Sequence, residues 1–441
     1  MAVVPTSSAD PRSSAPAAGL EVRPFRALIY RRRDPGHLAR VSSPAYDLVS
    51  PAGRDRLAGT DPHNIVRLIL PRVDRPGPAG TPEGAHRSTA EAAQTLAAWL
   101  ADGVLERDAE PALWLYELQP EGAPATTGWL GAVALPAPGS AAVLPHEDTY
   151  PLAVEGRRAL LAATGTDLEP IVLAHDPSPA LGTLADRLRA TPATLEVVDD
   201  DGVRHRLWRV TDPGLLDQVT AALRRTGSVI ADGHHRFAAA SAHHRADPAR
   251  PGSDAVLALV TPMGPGGLRV DPIHRVVPDL PLDTAVSAAA AGFVVTELPT
   301  PAAGEAEAVA QRWLRDPHRS GFLLSDGSRL VELSAPSPEV LAAVPPEAPA
   351  AWRRLDVVLA HHGLVSGLWG RDDEPGSILI AHSVGDALRT AVERSGVALL
   401  LRAPSPADVA AVARAGARMP RKSTLFVPKP RTGLVLRPLA D

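Results

Sequence analysis

The densest run of reactive side chains in the sequence is Asp-Gly-His-His-Arg at residues 232–236. Gly233 permits a positive φ or a close approach of the backbone to a ligand, and Arg236 can grip two phosphate oxygens at once. His234 and His235 can donate to anions or move protons near neutral pH. Asp232 could hold Mg²⁺ or accept the proton of an attacking hydroxyl group. The run predicts a phosphate site with catalytic groups, or alternatively a helix cap at Asp232 beside two packed histidines.

A zinc site would be another use of these histidines, with His243 or His244 as further ligands. Helical positions eight or nine residues apart lie about two turns away from each other, which is too far for one ion. The chain also has no HExxH motif and no cysteine. The sequence therefore disfavours zinc, and Mg²⁺ is the expected metal, held at Asp232 or alternatively near Glu147.

The second polar group is the segment 419–424, with further cations at residues 429 and 431. Arg421 and Lys422 stand beside the hydroxyl groups of Ser423 and Thr424, and together they could complete a phosphate site. A lone basic run is equally typical of a solvated surface.

A third group begins with His146 and Glu147 and continues to Arg157. A histidine beside a carboxylate can perform acid–base chemistry, so Glu147 is a candidate catalytic residue. An exposed loop with a helix cap is an equally good interpretation of the same residues.

Other polar residues lie next to predicted strand ends, where α/β folds place their ligands. They are Tyr46, Asp47, Asn64, Arg67, His274 and Arg275. We expect these residues, together with His146 and Arg157, to contact the substrate.

The loop at 232–236 needs a strand before it and a helix after it. Residues 228–231 predict a short buried strand, and the Ala-rich run from Phe237 predicts a helix. Residues 214–225 have helical spacing and precede the strand. This order places free backbone N–H groups and the positive end of a helix dipole at a crevice, where anions bind.

Apolar spacing marks further elements along the chain. Helices are predicted at 90–102, 155–163, 305–314 and 338–344, and strands at 64–70, 113–116, 129–135, 171–173, 321–324 and 378–380. The mixture indicates an α/β protein.

The chain has 441 residues, of which 45% are hydrophobic and 22% are charged, as in folded globular proteins. This length predicts two or three domains. We expect a disordered tail at 1–20, a phosphate- or nucleotide-binding α/β domain at 21–280, and a C-terminal α/β domain at 281–441 that contributes the segment 419–424.

The formal net charge of -5 offers no broad attraction for nucleic acid or anionic lipid. The N-terminal stretch lacks the basic start and apolar run of a signal peptide, and no apolar run approaches the roughly 20 residues of a membrane span. We therefore expect a cytoplasmic protein with small-molecule partners, without nucleic-acid or membrane partners.

Several motifs, taken in order, resemble the bacterial and archaeal domain-of-unknown-function family 1015. They are Arg-Pro-Phe at 23–25, Tyr-Asp at 46–47, Pro-His-Asn at 62–64, His-Glu at 146–147, the run 230–236, His-Arg at 274–275, and parts of the segment 419–434. The resemblance extends over nearly the whole chain after the tail.

The run at 232–236 is also similar to the phosphate-binding box of ParB/sulfiredoxin-like proteins, a superfamily that contains CTP-binding ParB, sulfiredoxins and free-serine kinases. This resemblance implies a mixed α/β (α+β) fold with a ParB/sulfiredoxin-like nucleotide-binding core and additional β-rich and C-terminal α/β parts. It also implies phosphoryl transfer that involves serine or phosphoserine.

The sequence departs from the family pattern close to Arg157. Val154 and Gly156 precede this residue where the family usually shows a lysine and an Asp-Arg pair, and Asp167 stands where an asparagine is usual. A cation and a carboxylate are therefore missing from the expected site.

The leading hypothesis is a phosphotransferase-like enzyme that uses Mg²⁺ and a nucleotide, ATP or ADP, to act on a small hydroxylated metabolite such as free serine. The missing charges near Arg157 favour an alternative, a regulatory protein that binds nucleotide without turnover. A third hypothesis is a phosphatase or hydrolase in which His234 or His235 acts as acid or base. DNA binding of the ParB kind is disfavoured, because the chain is acidic and has no convincing helix-turn-helix motif.

Overall fold

The fold is described from a computed structural model that covers residues 19–72, 82–264, 266–371 and 376–440, with residues 82–87 described for the backbone alone. Residues 1–18 of the predicted tail lie outside the described residues. Leu20 is already buried, and its backbone N–H donates to the carbonyl of Thr226 at 3.0 Å.

Strands are numbered in chain order. They are β1 (Val22–Arg23), β2 (Leu28–Tyr30), β3 (Leu105–Arg107), β4 (Leu113–Gln119), β5 (Thr126–Ala134), β6 (Val143–Leu144), β7 (Thr166–Asp167), β8 (Ile171–His175), β9 (Leu195–Val198), β10 (Arg204–Val210), β11 (Ser228–Asp232), β12 (Ala255–Pro262), β13 (Arg269–Asp271), β14 (His274–Val277), β15 (Val294–Glu297), β16 (Phe322–Ser325), β17 (Leu330–Ser334), β18 (Leu379–Ala381), β19 (Val397–Leu400), β20 (Leu425–Val427) and β21 (Arg437–Pro438).

Helices are numbered in the same way. They are α1 (Pro35–Val41), α2 (Pro51–Thr60), α3 (Val66–Ile69), α4 (Pro82–Ala101), α5 (Pro151–Thr164), α6 (Pro179–Arg189), α7 (Pro213–Leu223), α8 (His234–Ala246), α9 (Leu282–Ala289), α10 (Ala306–Arg315), α11 (Pro338–Ala342), α12 (Ala350–Arg353), α13 (Asp356–Leu359), α14 (Val384–Glu393) and α15 (Pro406–Arg414). A 3-10 turn at Tyr46–Leu48 and a π-helical segment at Ala360–Leu368 complete the set.

The larger sheet has nine strands in the order β6-β11-β8-β12-β5-β4-β10-β9, with β1 paired to β5. It is mixed, because β11 runs parallel to β6 and β8 runs parallel to β12, whereas the other pairs are antiparallel. The strands β8, β11 and β12 are almost entirely buried, which agrees with their uninterrupted apolar sequences.

The smaller sheet has six antiparallel strands in the order β15-β17-β16-β19-β14-β18. One hydrophobic core joins the two sheets, since Ala174 and Val229 of the larger sheet belong to the same buried cluster as Leu324 and Leu399 of the smaller one. The architecture is mixed α/β, as predicted.

Among the described residues, three short two-stranded sheets lie outside the two larger ones. β20 and β21 pair with β13 and β7 in two of them, and β2 pairs with β3 in the third. The division into domains at residue 280 stays a prediction about independently folding units.

The strand prediction at 64–70 is wrong, because α3 occupies this segment. Asn64 explains the difference: its Oδ1 accepts from the N–H of Val66 at 2.9 Å, while its Nδ2 donates to the carbonyls of Arg40 at 2.7 Å and Ser42 at 3.2 Å. These tertiary hydrogen bonds start a helical turn despite the β-branched residues that follow. The other predicted elements are confirmed to within about four residues at their ends, except that α4 begins eight residues before the predicted start at residue 90.

Within the residues that the structure describes, no helix is both long enough and apolar enough to cross a lipid bilayer.

Candidate active site

A cavity of about 320 Å³ lies where segments from both sheets meet. Its walls come from the 3-10 turn, the start of α5, the loop between β11 and α8, and the chain around β20. The lining residues are Tyr46, Asp47, Leu48, Glu147, Asp148, Tyr150, Ala231, Asp232, Gly233, His234, His235, Arg236, Ile273, His382, Arg421, Lys422, Thr424, Leu425 and Lys429. The structure thus brings the run at 232–236, the residues Glu147 and Asp47, and the segment 419–424 to one place.

Gly233 makes the turn between β11 and α8, with φ 91° and ψ 30°. This left-handed backbone favours glycine, and a Cβ atom here would lie 2.8 Å from Cγ2 of Ile171. α8 begins at the next residue, so its first backbone N–H groups have no partner within the helix. The positive end of this helix therefore lies at the cavity.

Asp232 ends β11 and is neutralised by two cations. Its Oδ2 lies 2.5 Å from Nη2 of Arg236, and its Oδ1 lies 2.6 Å from Nζ of Lys429. The ammonium group of Lys429 also lies 2.5 Å from Oδ2 of Asp47. Burial opposes ionisation of Asp232, but Lys429 and Arg236 outweigh it and lower the pKa of the carboxyl group.

Arg236 is held from several sides. Its Nη1 donates to the carbonyl of Pro170 at 2.7 Å, and its guanidinium lies 5.5 Å from the ring centre of Tyr46. Arg157 lies over the same ring at 3.8 Å. The Nε of Arg236 is buried without a hydrogen-bond partner among the described residues, so one donor of this guanidinium remains unsatisfied.

His146 and His234 form a buried pair rather than an acid–base pair. The backbone N–H of His146 donates to Nε2 of His234 at 3.3 Å, and the two rings meet edge to face at 4.6 Å. Burial lowers the pKa of His146 to about 4 and lowers the pKa of His234 well below its ordinary value. Both rings are therefore neutral at pH 7, and they join the loops that carry Glu147 and Asp232.

His235 lies beside an aromatic residue that the sequence analysis did not select. The ring of Tyr150 is stacked on it with an interplanar angle of 5°, and the N–H of Tyr150 donates to Nε2 of His235 at 3.1 Å. Nη1 of Arg421 donates to the hydroxyl group of Tyr150 at 2.6 Å. Tyr150 thus links α5, α8 and the segment 419–424 at the rim of the cavity.

Glu147 is the acid in the cavity without a bound cation in the described structure. Its Oε1 accepts from the hydroxyl group of Thr424 at 3.4 Å. Burial raises the pKa of Glu147, and the charge of Lys422 moderates the increase. Lys422 has φ 54°, a left-handed backbone that is unusual for a lysine, and the hydroxyl group of the next residue, Ser423, donates to the carbonyl of Pro420. A carboxyl group with a raised pKa suits proton transfer near neutral pH.

Six predicted substrate contacts lie outside the cavity lining: Asn64, Arg67, His146, Arg157, His274 and Arg275. Oδ1 of Asn64 accepts from the N–H of Val66 at the start of α3, and Arg67 donates to the carbonyl of Ala58 at 2.7 Å. His274 accepts from the N–H of Leu401 at 3.2 Å inside the smaller sheet. Arg275 donates to the carbonyl of Arg421 at 3.0 Å, so it supports the segment 419–424 from behind.

Lys429 and His382 also line the cavity. In the sequence Lys429 is only the continuation of a basic run, because its two carboxylate partners are distant in the chain. His382 follows β18 of the smaller sheet. Its isolated position in the sequence offers no signal that it belongs to the site.

The described residues do not fit a metal held by the protein alone. No group of three or more histidine, aspartate or glutamate side chains among them is arranged to bind an ion. Both oxygens of Asp232 are paired with cations, so a metal at this residue would have to displace Arg236 or Lys429. A site at Asp232 as the sequence predicts it is therefore not preformed.

Comparison with known families identifies the chain. A family model described as "Protein of unknown function (DUF1015)" matches residues 22–358. The chain belongs to this family. The matched range includes the run at 232–236 and ends before the segment 419–424. No curated protein is significantly similar to the chain.

Several solved structures are distantly similar. "Free serine kinase in complex with AMP" has 16% sequence identity and a TM-score of 0.30, with 65% of this chain and 84% of that chain covered. "SbnI with C-terminal truncation from Staphylococcus aureus" has 13% identity and a TM-score of 0.36, with 70% and 88% covered. "Conserved hypothetical protein from Pyrococcus furiosus" has 14% identity and a TM-score of 0.30, with 65% and 87% covered.

Proposed function

We propose that this protein is a phosphotransferase-like enzyme that moves a phosphoryl group between a nucleotide, ATP or ADP, and a small hydroxylated metabolite such as free serine. The observation that carries the proposal is the meeting of three features at one cavity. These features are the N-terminus of α8, the cations Arg421 and Lys422, and the half-buried acid Glu147.

The cations and the helix N-terminus provide the phosphate-binding part of the site. Lys422 has no ion-pair partner among the described residues, and the first N–H groups of α8 have none within the helix. A phosphate between them would gain charge-assisted hydrogen bonds from both sides. Stabilisation of phosphate charge is the main task of a protein in phosphoryl transfer.

Glu147 is better suited than Asp232 to act as the base. Two cations hold Asp232 in its ionised form and weaken it as a proton acceptor, whereas burial makes Glu147 more basic. In the proposed step, Glu147 takes the proton of the substrate hydroxyl group while the hydroxyl oxygen bonds to phosphorus. The bond from phosphorus to the bridging oxygen breaks, and the shortened nucleotide leaves with that electron pair.

The first experiment is a thermal-shift and binding series with ATP, ADP, CTP, serine and phosphoserine, with and without Mg²⁺. The test variant is Lys422→Gly, because glycine adopts the left-handed backbone of this position without strain and removes only the charged side chain. Loss of one charge-assisted contact should weaken nucleotide binding by roughly tenfold to a hundredfold. Arg329→Ala is the matched control, since this arginine lies in the turn between β16 and β17 and pairs with Asp283 and Glu297 away from the cavity.

A nucleotide-dependent rise in Tm that Lys422→Gly removes and Arg329→Ala keeps would support the site. Transfer is then measured by ³¹P NMR with serine and ATP, and in reverse with phosphoserine and ADP. If no nucleotide binds to the wild-type protein, the proposal fails.

The second candidate is a regulatory protein that binds nucleotide without turnover. Its support is the start of α5, where Leu152 is 90% exposed and Val154 and Gly156 leave the rim without the charges expected of the family. Nucleotide binding without phosphoryl transfer to any hydroxylated metabolite would favour this candidate. Release of inorganic phosphate from a phosphorylated metabolite would instead favour the phosphatase hypothesis.

A further inference from the structure

The ammonium group of Lys429 occupies a position between two carboxylates of the cavity. Its distances are 2.5 Å to Oδ2 of Asp47 and 2.6 Å to Oδ1 of Asp232. The side chain of Lys429 is only 8% exposed, and those of Asp47 and Asp232 are 30% and 14% exposed. Two acidic side chains that share one shielded cation at such distances resemble the carboxylate part of a divalent-cation site.

The charges around this position already balance. Asp47 and Asp232 contribute two negative charges, and Lys429 and Arg236 contribute two positive charges. A divalent cation added to this group would leave a net positive charge in a poorly solvated place. While Lys429 is present, its charge and that of Arg236 neutralise the two carboxylates, and a metal ion between them is not favoured.

The fold holds Lys429 in place through its neighbours. Just after it, Arg431 donates through Nε to the hydroxyl group of Ser42 at 2.6 Å, and Thr432 exchanges backbone hydrogen bonds with Ser43 at 2.9 and 3.1 Å. The 3-10 turn that carries Asp47 follows Ser43 closely in the chain. Lys429 and its partner Asp47 are thus both held close to the hydrogen bonds between Ser42–Ser43 and Arg431–Thr432.

We propose that the ammonium group of Lys429 takes the place of a protein-held divalent cation between Asp47 and Asp232. The inference rests on the proposed function only in that the cavity receives phosphate groups. The charge of Lys429, with that of Arg236, then neutralises the two carboxylates that would otherwise repel the phosphates, and a divalent cation would enter the site bound to the nucleotide phosphates rather than to these carboxylates.

The test is a titration with Mn²⁺ in the absence of nucleotide. Binding is monitored by electron paramagnetic resonance and by the change in Tm. The variant Lys429→Ala removes the ammonium group and leaves space for a hydrated ion between the two carboxylates. We expect it to bind Mn²⁺ at least about tenfold more tightly than the wild-type protein and to rise in Tm with Mn²⁺. Lys429→Arg keeps the cation and should bind no more Mn²⁺ than the wild type.

The double variant Lys429→Ala/Asp47→Asn assigns the ion to the carboxylate pair, because it lacks one of the two ligands and should lose the gain. The proposal is overturned if folded Lys429→Ala gains no Mn²⁺ affinity, or if the double variant keeps the gain. Tight Mn²⁺ binding by the wild-type protein in the absence of nucleotide also overturns the proposal. If Lys429→Ala fails to fold, this wild-type titration tests the proposal instead.

These outcomes are separate from those of the proposed function. Failure of the phosphotransferase proposal appears as absent nucleotide binding or transfer in the wild-type protein. The Mn²⁺ titrations contain no nucleotide and measure no turnover, so they can succeed when that proposal fails.

Discussion

Lys422 influences several titratable groups at the cavity through its charge alone. It lowers the pKa of Glu147, His235 and His382, in each case after burial as the largest influence. The effect on the histidines adds to that of burial, whereas the effect on Glu147 opposes it. At the scale of the residue, one exposed lysine therefore moderates how strongly the buried candidate base holds its proton.

The role of Glu147 leads to a prediction about rate and pH. Glu147→Gln removes the proton acceptor and keeps the shape of the side chain, so transfer should slow by about 10²–10⁴-fold with little change in nucleotide affinity. Because the base must be ionised, the wild-type rate should fall as pH drops through the raised pKa, at a higher pH than an exposed glutamate would give. The measurement is a pH profile of kcat.

Lys422→Gly provides the matched test of that assignment. Removal of the positive charge should raise the pKa of Glu147 further, so the acidic limb of the profile should move to higher pH. An acidic limb that stays in place in this variant, or full activity in Glu147→Gln, would show that another group accepts the proton.

At the scale of the element, the site depends on the junction between β11 and α8. The helix can start at His234 because Gly233 turns the chain through a left-handed conformation at the end of β11. The same turn brings Asp232 at the end of β11 next to Arg236 in the first turn of α8, where they form their ion pair. β11, Gly233 and α8 therefore together position Asp232 and Arg236 at the cavity.

Gly233→Ala tests this unit. The alanine would occupy a backbone conformation that costs about 1–2 kcal/mol, and its Cβ would also lie 2.8 Å from Ile171 and 3.1 Å from Nε of Arg236. We expect a loss of more than about 2 kcal/mol in the free energy of unfolding, measured with urea, and weaker nucleotide binding.

The control for that variant is Gly139→Ala. Gly139 has a similar φ of 82°, but nothing lies within 4 Å of the added Cβ. This substitution should cost only the backbone term, about 1–2 kcal/mol, and leave nucleotide binding unchanged. Equal effects of the two substitutions would mean that contacts with Ile171 and Arg236 do not matter.

At the scale of the whole molecule, the C-terminal segment ties the smaller sheet back to the larger one. Arg437 in β21 is buried, and its Nη1 donates to Oδ2 of Asp167 at 2.6 Å and to the carbonyl of Ala255 at 3.1 Å. Asp167 also accepts from the N–H of Leu257 at 2.9 Å. The end of the chain therefore completes the packing of β7 and β12.

Arg437→Met should destabilise the protein by about 3–5 kcal/mol, because it leaves the buried carboxylate of Asp167 without its cation. The double variant Arg437→Met/Asp167→Asn should recover part of this loss in urea unfolding. Arg204→Met breaks the exposed pair with Glu196 and should cost no more than about 1 kcal/mol. A similar cost for both arginines would show that the C-terminal pair is not buried in solution.

The sequence by itself was sufficient for the local parts of this protein. Periodic apolar residues identify α7 and β11, and the Asp-Gly-His-His-Arg run identifies the turn before α8, because helix and strand spacing and the need for glycine at positive φ are local properties. The apolar spacing of the predicted helices and strands was enough to predict a mixed α/β chain. The family membership is confirmed over residues 22–358, whereas the likeness to a ParB/sulfiredoxin phosphate-binding box stays a prediction.

Only the tertiary structure decided which polar residues share a cavity. Asn64 and His274 looked like ligand-binding residues in the sequence, but hydrogen bonds to distant backbone groups give them structural positions. Lys429 looked like part of a surface run, but it lies between Asp47 and Asp232, which are hundreds of residues away in the chain. Charge pairing and burial depend on such long-range contacts, and no local pattern in the sequence encodes them.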